Sequence, residues 1–149
     1  MKRPIPGIQI EDQPEPIICI MGLYGEARGE PNAGKLAVLC VAANRAEKSG
    51  SSIADVFLKH SDKNTYQFTS FDPRDPNRDK LLVGWKEDPA SWAACEAVYD
   101  LHDAGLTSDP THGADHYYNP SIAKPAWGAG SKDWQDRGMI GNHRYGVCP

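Results

Sequence analysis

The apolar segment Pro16–Tyr24, which contains Ile17, Ile18, Cys19, Ile20, Met21 and Leu23, runs without interruption into Gly25 and Glu26. It is far shorter than the ~18 residues a membrane span requires. Ile17, Ile20 or Met21, and Tyr24 share one face at helical spacing, which predicts a helix from about Glu15 to Arg28. Gly29 and Pro31 then form a stop signal, glycine suiting the left-handed cap and proline being unable to continue the helix. The result is a carboxyl group, Glu26, in the last turn of a mostly apolar helix. There the negative end of the helix dipole and the apolar neighbours both disfavour the charged form and push the pKa upward. A proton donor working near neutral pH needs that environment. Arg28 would act in the opposite direction if paired with Glu26, but residues two apart on a helix face away from each other. On spacing alone the plainer reading is favoured, in which Glu26 and Glu30 are solvated, mildly repulsive helix-end residues at i,i+4.

The remaining pattern is helical, then loop-rich. A second helix is expected from about Ala33 to Glu47, with Leu36, Leu39, Cys40 and Ala43 as its core stripe. Ser52–Leu58 reads as a short helix capped by its serine. Residues 60–88 read as mostly loop, with Tyr66–Thr69 β-like and Asp72–Asp79 a solvated series of turns. Asp88-Pro89 opens another helix with Trp92, Cys95, Tyr99 and His102 on one face, ended by Gly105. Beyond it lies a turn-rich tail studded with Tyr117, Tyr118, Trp127, Trp134 and Tyr145, read as loops packed on a helical core. Residues 1–14 read as an N-terminal arm and 15–149 as one catalytic domain.

Composition narrows the partners. A chain of 149 residues can bury roughly two-thirds of its unfolded surface in one domain. The net charge of -4 argues against nucleic acid, since phosphate binding needs clustered Lys and Arg. No apolar run is long enough for membrane insertion. Met1-Lys2-Arg3 resembles the start of a signal peptide, but Pro4, Pro6, Glu11, Asp12 and Pro14 interrupt any apolar core, so synthesis in the cytoplasm is expected. Cys19, Cys40, Cys95 and Cys148 form no CxxC pair, and the first three read as small buried hydrophobes.

Four blocks in order change the weight given to Glu26. Tyr24–Pro31 followed by Gly34, Ala37-Val38 and Asn44-Arg45 resembles the opening of the SleB-type, spore cortex-lytic cell wall hydrolase family. Gln67-Phe68-Thr69 resembles that family's Gln-Phe-Ser. Asp109-Pro110-Thr111, Gly113-Ala114 and His116–Pro120 resemble its Asp-Pro-Thr and Gly-Ala-Thr-His-Tyr-Tyr-Asn-Pro stretch. Ile140–Tyr145 resembles its Ile-Gly-Asn-His-Arg-Phe. Thr69 in place of Ser and His112 in place of a small residue are departures.

The resemblance implies a mainly α (α+β), lysozyme-like and lytic-transglycosylase-like single domain with a small β element and long loops. It further implies cleavage of peptidoglycan glycan strands between N-acetylmuramic acid and N-acetylglucosamine by a monomer without cofactor or metal. Position for position, the family's catalytic glutamate matches Glu26. Glu30 is the rival, and is expected outside the helix in a more hydrated setting. Gln67, Phe68, Tyr117, Tyr118, Asn119 and His143 are the expected sugar contacts, and Trp127 and Trp134 are expected in the core or groove wall. A bare catalytic domain suits a phage lysis enzyme or a virion-borne wall cutter. Three alternatives compete: a hydrolytic muramidase or glucosaminidase, a zinc amidase using His112, His116 and His143, and a non-catalytic wall-binding module. A calcium loop at Asp75, Asn77 and Asp79 lacks the glycine and closing acid it needs.

Overall fold

A computed structural model of the chain describes residues 1–61 and 65–149. Its helices are α1 (Glu15–Ala27), α2 (Asn32–Ser49), α3 (Ile53–Leu58), α4 (Lys80–Glu87) and α5 (Pro89–Asp103). Its strands are β1 (His116–Tyr118), β2 (Gln135–Ile140) and β3 (His143–Val147). The mainly helical fold with a small β element follows the sequence expectation.

Helix α1 starts behind Pro14, with Pro16 in its first turn. Every residue from Ile17 to Tyr24 is buried, so the apolar character extends around the whole helix rather than along one face. Such a helix must be covered on all sides, and α2, α3, α4 and α5 all pack on it. Two glycines allow the close approach. A Cβ on Gly22 would lie 2.6 Å from Cε1 of Phe57, and one on Gly84 would lie 2.7 Å from Cε1 of Tyr24.

Helix α2 follows Pro31 and ends at Gly50, whose φ of 66° closes the helix in the left-handed region. It separates two cores. Val38, Leu39 and Ala42 join the helical core around α1, whereas Ala37 and Val41 pack with Ala114 and Tyr145 beneath the sheet. In α3, Ser52 Oγ accepts from the Asp55 amide at 3.0 Å and Asp55 Oδ2 accepts from the Ser52 amide, a reciprocal capping box. In α5, Asp88 caps the helix by accepting from the Ser91 amide, and Pro89 occupies the first turn. Trp92, Cys95 and Tyr99 are buried as expected, while His102 is half-buried. The arm before α1 lies on α5: the Trp92 indole donates to Lys2 O, and the Lys2 amide donates to Glu96 Oε1, each at 2.8 Å.

Three expectations are corrected. The C-terminal tail read as loops contains a three-stranded antiparallel sheet in the order β1-β3-β2. Its strands are short, and Gly138, at φ 89°, sits at a bulge where the register shifts, so no clean alternation marks them. Within residues 60–88, read as mostly loop, α4 forms; the part covering 62–64 lies outside the described residues. Only Leu81 and Gly84 of α4 are buried, and the helix is eight residues long with a glycine, a poor helix former, inside it. The β-like reading of Tyr66–Thr69 reduces to one bridge between His60 and Tyr66, and Thr69 already belongs to a 3-10 turn, Thr69–Phe71.

Glu30 also departs from expectation. It is buried at 7% exposure, not hydrated. The turn between β2 and β3 lies over it: Oε1 accepts from the Asn142 amide at 3.1 Å and Oε2 from Asn142 Nδ2 at 3.1 Å. His143 Nδ1 approaches Oε1 to 3.1 Å. Lys35, buried beside it, donates to the backbone carbonyls of Arg28 and Glu30 at the exit of α1. Glu30 is thus the strut between the α1–α2 junction and the sheet.

Two stability outcomes follow. Glu30→Ala leaves the Asn142 donors without their acceptor and is expected to cost about 2–4 kcal/mol in urea unfolding, with Glu30→Gln losing less because it keeps an amide oxygen there. Gly22→Ala drives a methyl into the Phe57 ring and is expected to cost about 1–3 kcal/mol in the same measurement, despite alanine's higher helix propensity.

Candidate active site

The last turn of α1 places Glu26 in the wall of a cleft of about 620 Å³. Gly25 lets the Thr69–Phe71 turn come against it, because a Cβ there would lie 2.5 Å from Ser70 Cβ and 2.6 Å from its Oγ. Ser70 then donates twice to Glu26 Oε1, from its hydroxyl at 3.0 Å and its amide at 3.3 Å. Burial raises the Glu26 pKa above the ordinary value; the two Ser70 bonds pull it down, the field of Asp75 adds to the rise, and the balance remains upward. Arg28 does not contact the carboxylate. Its guanidinium lies 4.9 Å over the Tyr24 ring and donates to Tyr24 O.

Of the expected sugar contacts, Gln67, Phe68 and Tyr117 line the same cleft as Glu26. Tyr117 comes from β1, and burial together with the neighbouring Glu26 drives its hydroxyl pKa well above the ordinary phenol value, so it stays protonated. Gln67 Oε1 accepts from Arg45 Nη1 at 2.8 Å. Arg45 also donates to Asp115 O and lies 5.5 Å over the Phe68 ring.

The other expected residues lie elsewhere. Tyr118 Oη accepts from the Ala129 amide at 3.0 Å, and its ring meets Trp127 and Trp134 edge-on. Asn119 Oδ1 accepts from the amide and hydroxyl of Ser121, which fixes a turn. The His143 ring lies 4.9 Å from that of Tyr117, on the Glu30 side. Its burial lowers its pKa while Glu30 raises it, with a net decrease that favours the neutral ring. These three, with Glu30, brace the loops that carry the cleft.

Ser70 was not anticipated as a site group: buried behind Glu26 rather than lining the cleft, its hydroxyl reaches Glu26 across 44 positions of sequence, and the only signal was its place next to the Gln67-Phe68-Thr69 block. Lys48 was likewise not anticipated; it meets Asp115 and His116, the latter read from sequence as a possible zinc ligand, in the cleft wall. Asp115 stands where the resembled motif has Thr. Its carboxylate accepts from His116 Nδ1 at 2.8 Å, Lys48 Nζ at 2.6 Å and the Cys148 amide at 2.9 Å. Burial would raise its pKa, but these donors hold it below the ordinary range. Among the described residues no three His, Cys, Asp or Glu side chains are grouped to hold a metal ion. His112 sits exposed at φ 52°, and Asp75 Oδ1 accepts from the Asn77 amide in a local turn. All four cysteines are free, and burial pushes Cys19, Cys40 and Cys95 up to about 12, so none of these three is a reactive thiolate.

The fold is shared with solved structures. The catalytic domain of the germination-specific lytic transglycosylase SleB from Bacillus anthracis superposes with a TM-score of 0.64 at 23% identity, covering 95% of this chain and 98% of that one. The SleB catalytic domain from Bacillus cereus superposes with a TM-score of 0.51 at 22% identity, covering 98% and 97%. No curated protein matches the chain. The family model described as Cell Wall Hydrolase matches residues 29–146, a span that begins just after Glu26 and includes Glu30. That match runs from the end of α1 through most of β3, and with it the chain belongs to the cell wall hydrolase family.

Proposed function

We propose that the protein cleaves peptidoglycan glycan strands between N-acetylmuramic acid and N-acetylglucosamine as a lytic transglycosylase, with Glu26 as its one catalytic acid and base. The observation that carries this reading is a carboxyl group biased toward its protonated form by burial, in the wall of a cleft, on a cell wall hydrolase domain. A two-carboxylate mechanism needs a second free acid to act as nucleophile or base. Asp115 is the other carboxylate among the described cleft residues, and its oxygens are already engaged by His116, Lys48 and the Cys148 amide. The likeness to a domain described as a lytic transglycosylase supports the same route.

Protonated Glu26 gives its hydrogen to the glycosidic oxygen as the bond to C1 of the muramic acid breaks. The neighbouring N-acetyl group stabilises the electron-poor carbon. Glu26, now charged, takes the proton of the sugar's C6 hydroxyl while that oxygen bonds to C1. The products are a 1,6-anhydro end and a free 4-hydroxyl, with no water consumed. Ser70 binds Oε1 alone, which leaves Oε2 for the proton in transit, and its two donors steady the carboxylate formed midway. Tyr117, kept neutral beside it, supplies a hydroxyl donor to the sugar.

Mass spectrometry of fragments released from purified wall is expected to find 1,6-anhydro ends. Reducing muramic acid or reducing glucosamine would instead assign a muramidase or a glucosaminidase, and freed peptides an amidase. Glu26→Gln is expected to lower turnover by roughly 10²–10⁴-fold, the usual worth of a positioned acid.

Activity depends on the acid form, so it falls as pH rises through the raised Glu26 pKa. Ser70→Ala removes a bond that favours the charged form, and the alkaline limb of kcat is expected to move to higher pH. Linkage gives the stability sign. The folded pKa lies above the ordinary 4.5, so the folded state binds the extra proton and the parent loses stability as pH rises from 4.5 through the folded value. Glu26→Gln is therefore expected to melt higher than the parent at neutral pH, with the gain vanishing below about 4.5; equal melting at both pH values would contradict the raised pKa.

A further inference from the structure

We propose that Trp127 and His116 form a saccharide subsite of the cleft, in which an N-acetylhexosamine ring stacks on the indole and accepts or donates a hydrogen bond at the imidazole, with Asp115 as the positioning residue. The inference rests on the glycan-cleaving reading and names the residues that hold the strand away from the reacting bond.

Trp127 is the one aromatic residue among the exposed large apolar side chains of the described residues, at 37% exposure, and it lines the cleft. It is exposed without being loose. The Tyr118 ring meets it edge-on at 5.7 Å and Trp134 packs at 5.9 Å, while Tyr118 and Trp134 pack on each other at 5.8 Å. Hydrogen bonds pin both supports, from the Ala129 amide to Tyr118 Oη and from Trp134 Nε1 to Asp136 Oδ1. Two missing side chains make room for them. A Cβ on Gly128 would lie 2.9 Å from Tyr118 Cε1, and one on Gly146 would lie 2.2 Å from Trp134 Cζ2. A large flat apolar face held rigidly at a cleft wall suits the C–H face of a pyranose, and pre-ordering reduces the entropy lost on binding.

His116 completes the pair. Its ring lies 4.9 Å from the Trp127 ring. Asp115, 5% exposed, receives its Nδ1 at 2.8 Å, which fixes the ring plane and leaves Nε2 for a ligand in the cleft. Asp115 is itself fixed by Lys48 and the Cys148 amide. The pair shares the cleft with Glu26 but is not among the groups that bond to it or shift it, which are Ser70 and Asp75. A polar partner beside an aromatic platform selects a sugar over a purely apolar ligand.

Calorimetry on the full chain carrying Glu26→Gln, which stops turnover, tests this. The probes are a tetrasaccharide and a disaccharide of alternating N-acetylglucosamine and N-acetylmuramic acid. The parent is expected to bind the tetrasaccharide more tightly than the disaccharide. Adding Trp127→Ala is expected to weaken the tetrasaccharide about tenfold, or about 1.4 kcal/mol, and to erase the gain with length. Trp127→Phe should restore most of the affinity, and His116→Ala should weaken binding in a protein that stays folded but melts somewhat lower, because the buried Asp115 loses a partner. In the active enzyme, Trp127→Ala should raise KM on glycan strands far more than it lowers kcat. Unaltered tetrasaccharide affinity in a folded Trp127→Ala protein, or no recovery with Phe, overturns the subsite alone. A Glu26→Gln protein that binds neither sugar, together with a wild-type enzyme that releases no glycan fragments, overturns the glycan reading with it.

Discussion

A half-buried carboxyl group in a cleft wall, at the end of a helix that is itself covered on all sides, is the constraint around which this molecule is arranged. Helix α1 has no solvent face between Ile17 and Tyr24, so four helices must pack on it, and its last turn emerges where the Ser70 turn and β1 meet. The energetic conflict is local. Burial works against the Glu26 anion, and the two Ser70 bonds offset that in part. Glu30, four residues on, has Asn142 donors on both oxygens and does not line the cleft. Two glutamates of nearly the same sequence environment are thus divided by tertiary contacts, one lining the cleft and the other held under the β2–β3 turn.

The sequence was informative where signals are local and silent where they are not. The end of α1 ahead of Pro31, the Ser52 cap and the Asp88-Pro89 start are decided by neighbours within one helical turn, and each appears in the structure within a residue or two, although Gly29 does not take the left-handed φ expected of it. The position of Glu26 was legible for the same reason. Glu30 was misread because what covers it lies 112 residues away. Ser70 was overlooked because its contact with Glu26 depends on an absent Gly25 side chain rather than on any pattern in its own segment.

The residues of the motif blocks are divided between two places in the fold. Gln67, Phe68 and Tyr117 reach the cleft, while Tyr118, Asn119 and His143, from the same blocks, tie loops together. Asp115 and His116 gain meaning only when Lys48 from α2 and the Cys148 amide are seen to converge on them. A three-residue strand such as β1 is too short to show alternation, and α4 is a two-turn helix with Gly84, a poor helix former, inside it. They form because the larger helices present surfaces for them to cover.

Strand β1 is three residues long and is aligned by pairing with β3 at Gly146, Tyr145 and Arg144. Side chains on a strand alternate between faces, so His116 and Tyr118 turn toward the indole cluster while Tyr117 turns back toward Phe68 and the helices. One residue gained or lost in the connection from Thr111 to Asp115 would therefore exchange the two sets. The helices and the acid would be undisturbed, yet a phenol would stand where the imidazole belongs. In this architecture chain length ahead of β1 acts as a hidden parity, and homologues with the same residues but a different spacing there should not be presumed to share a sugar preference.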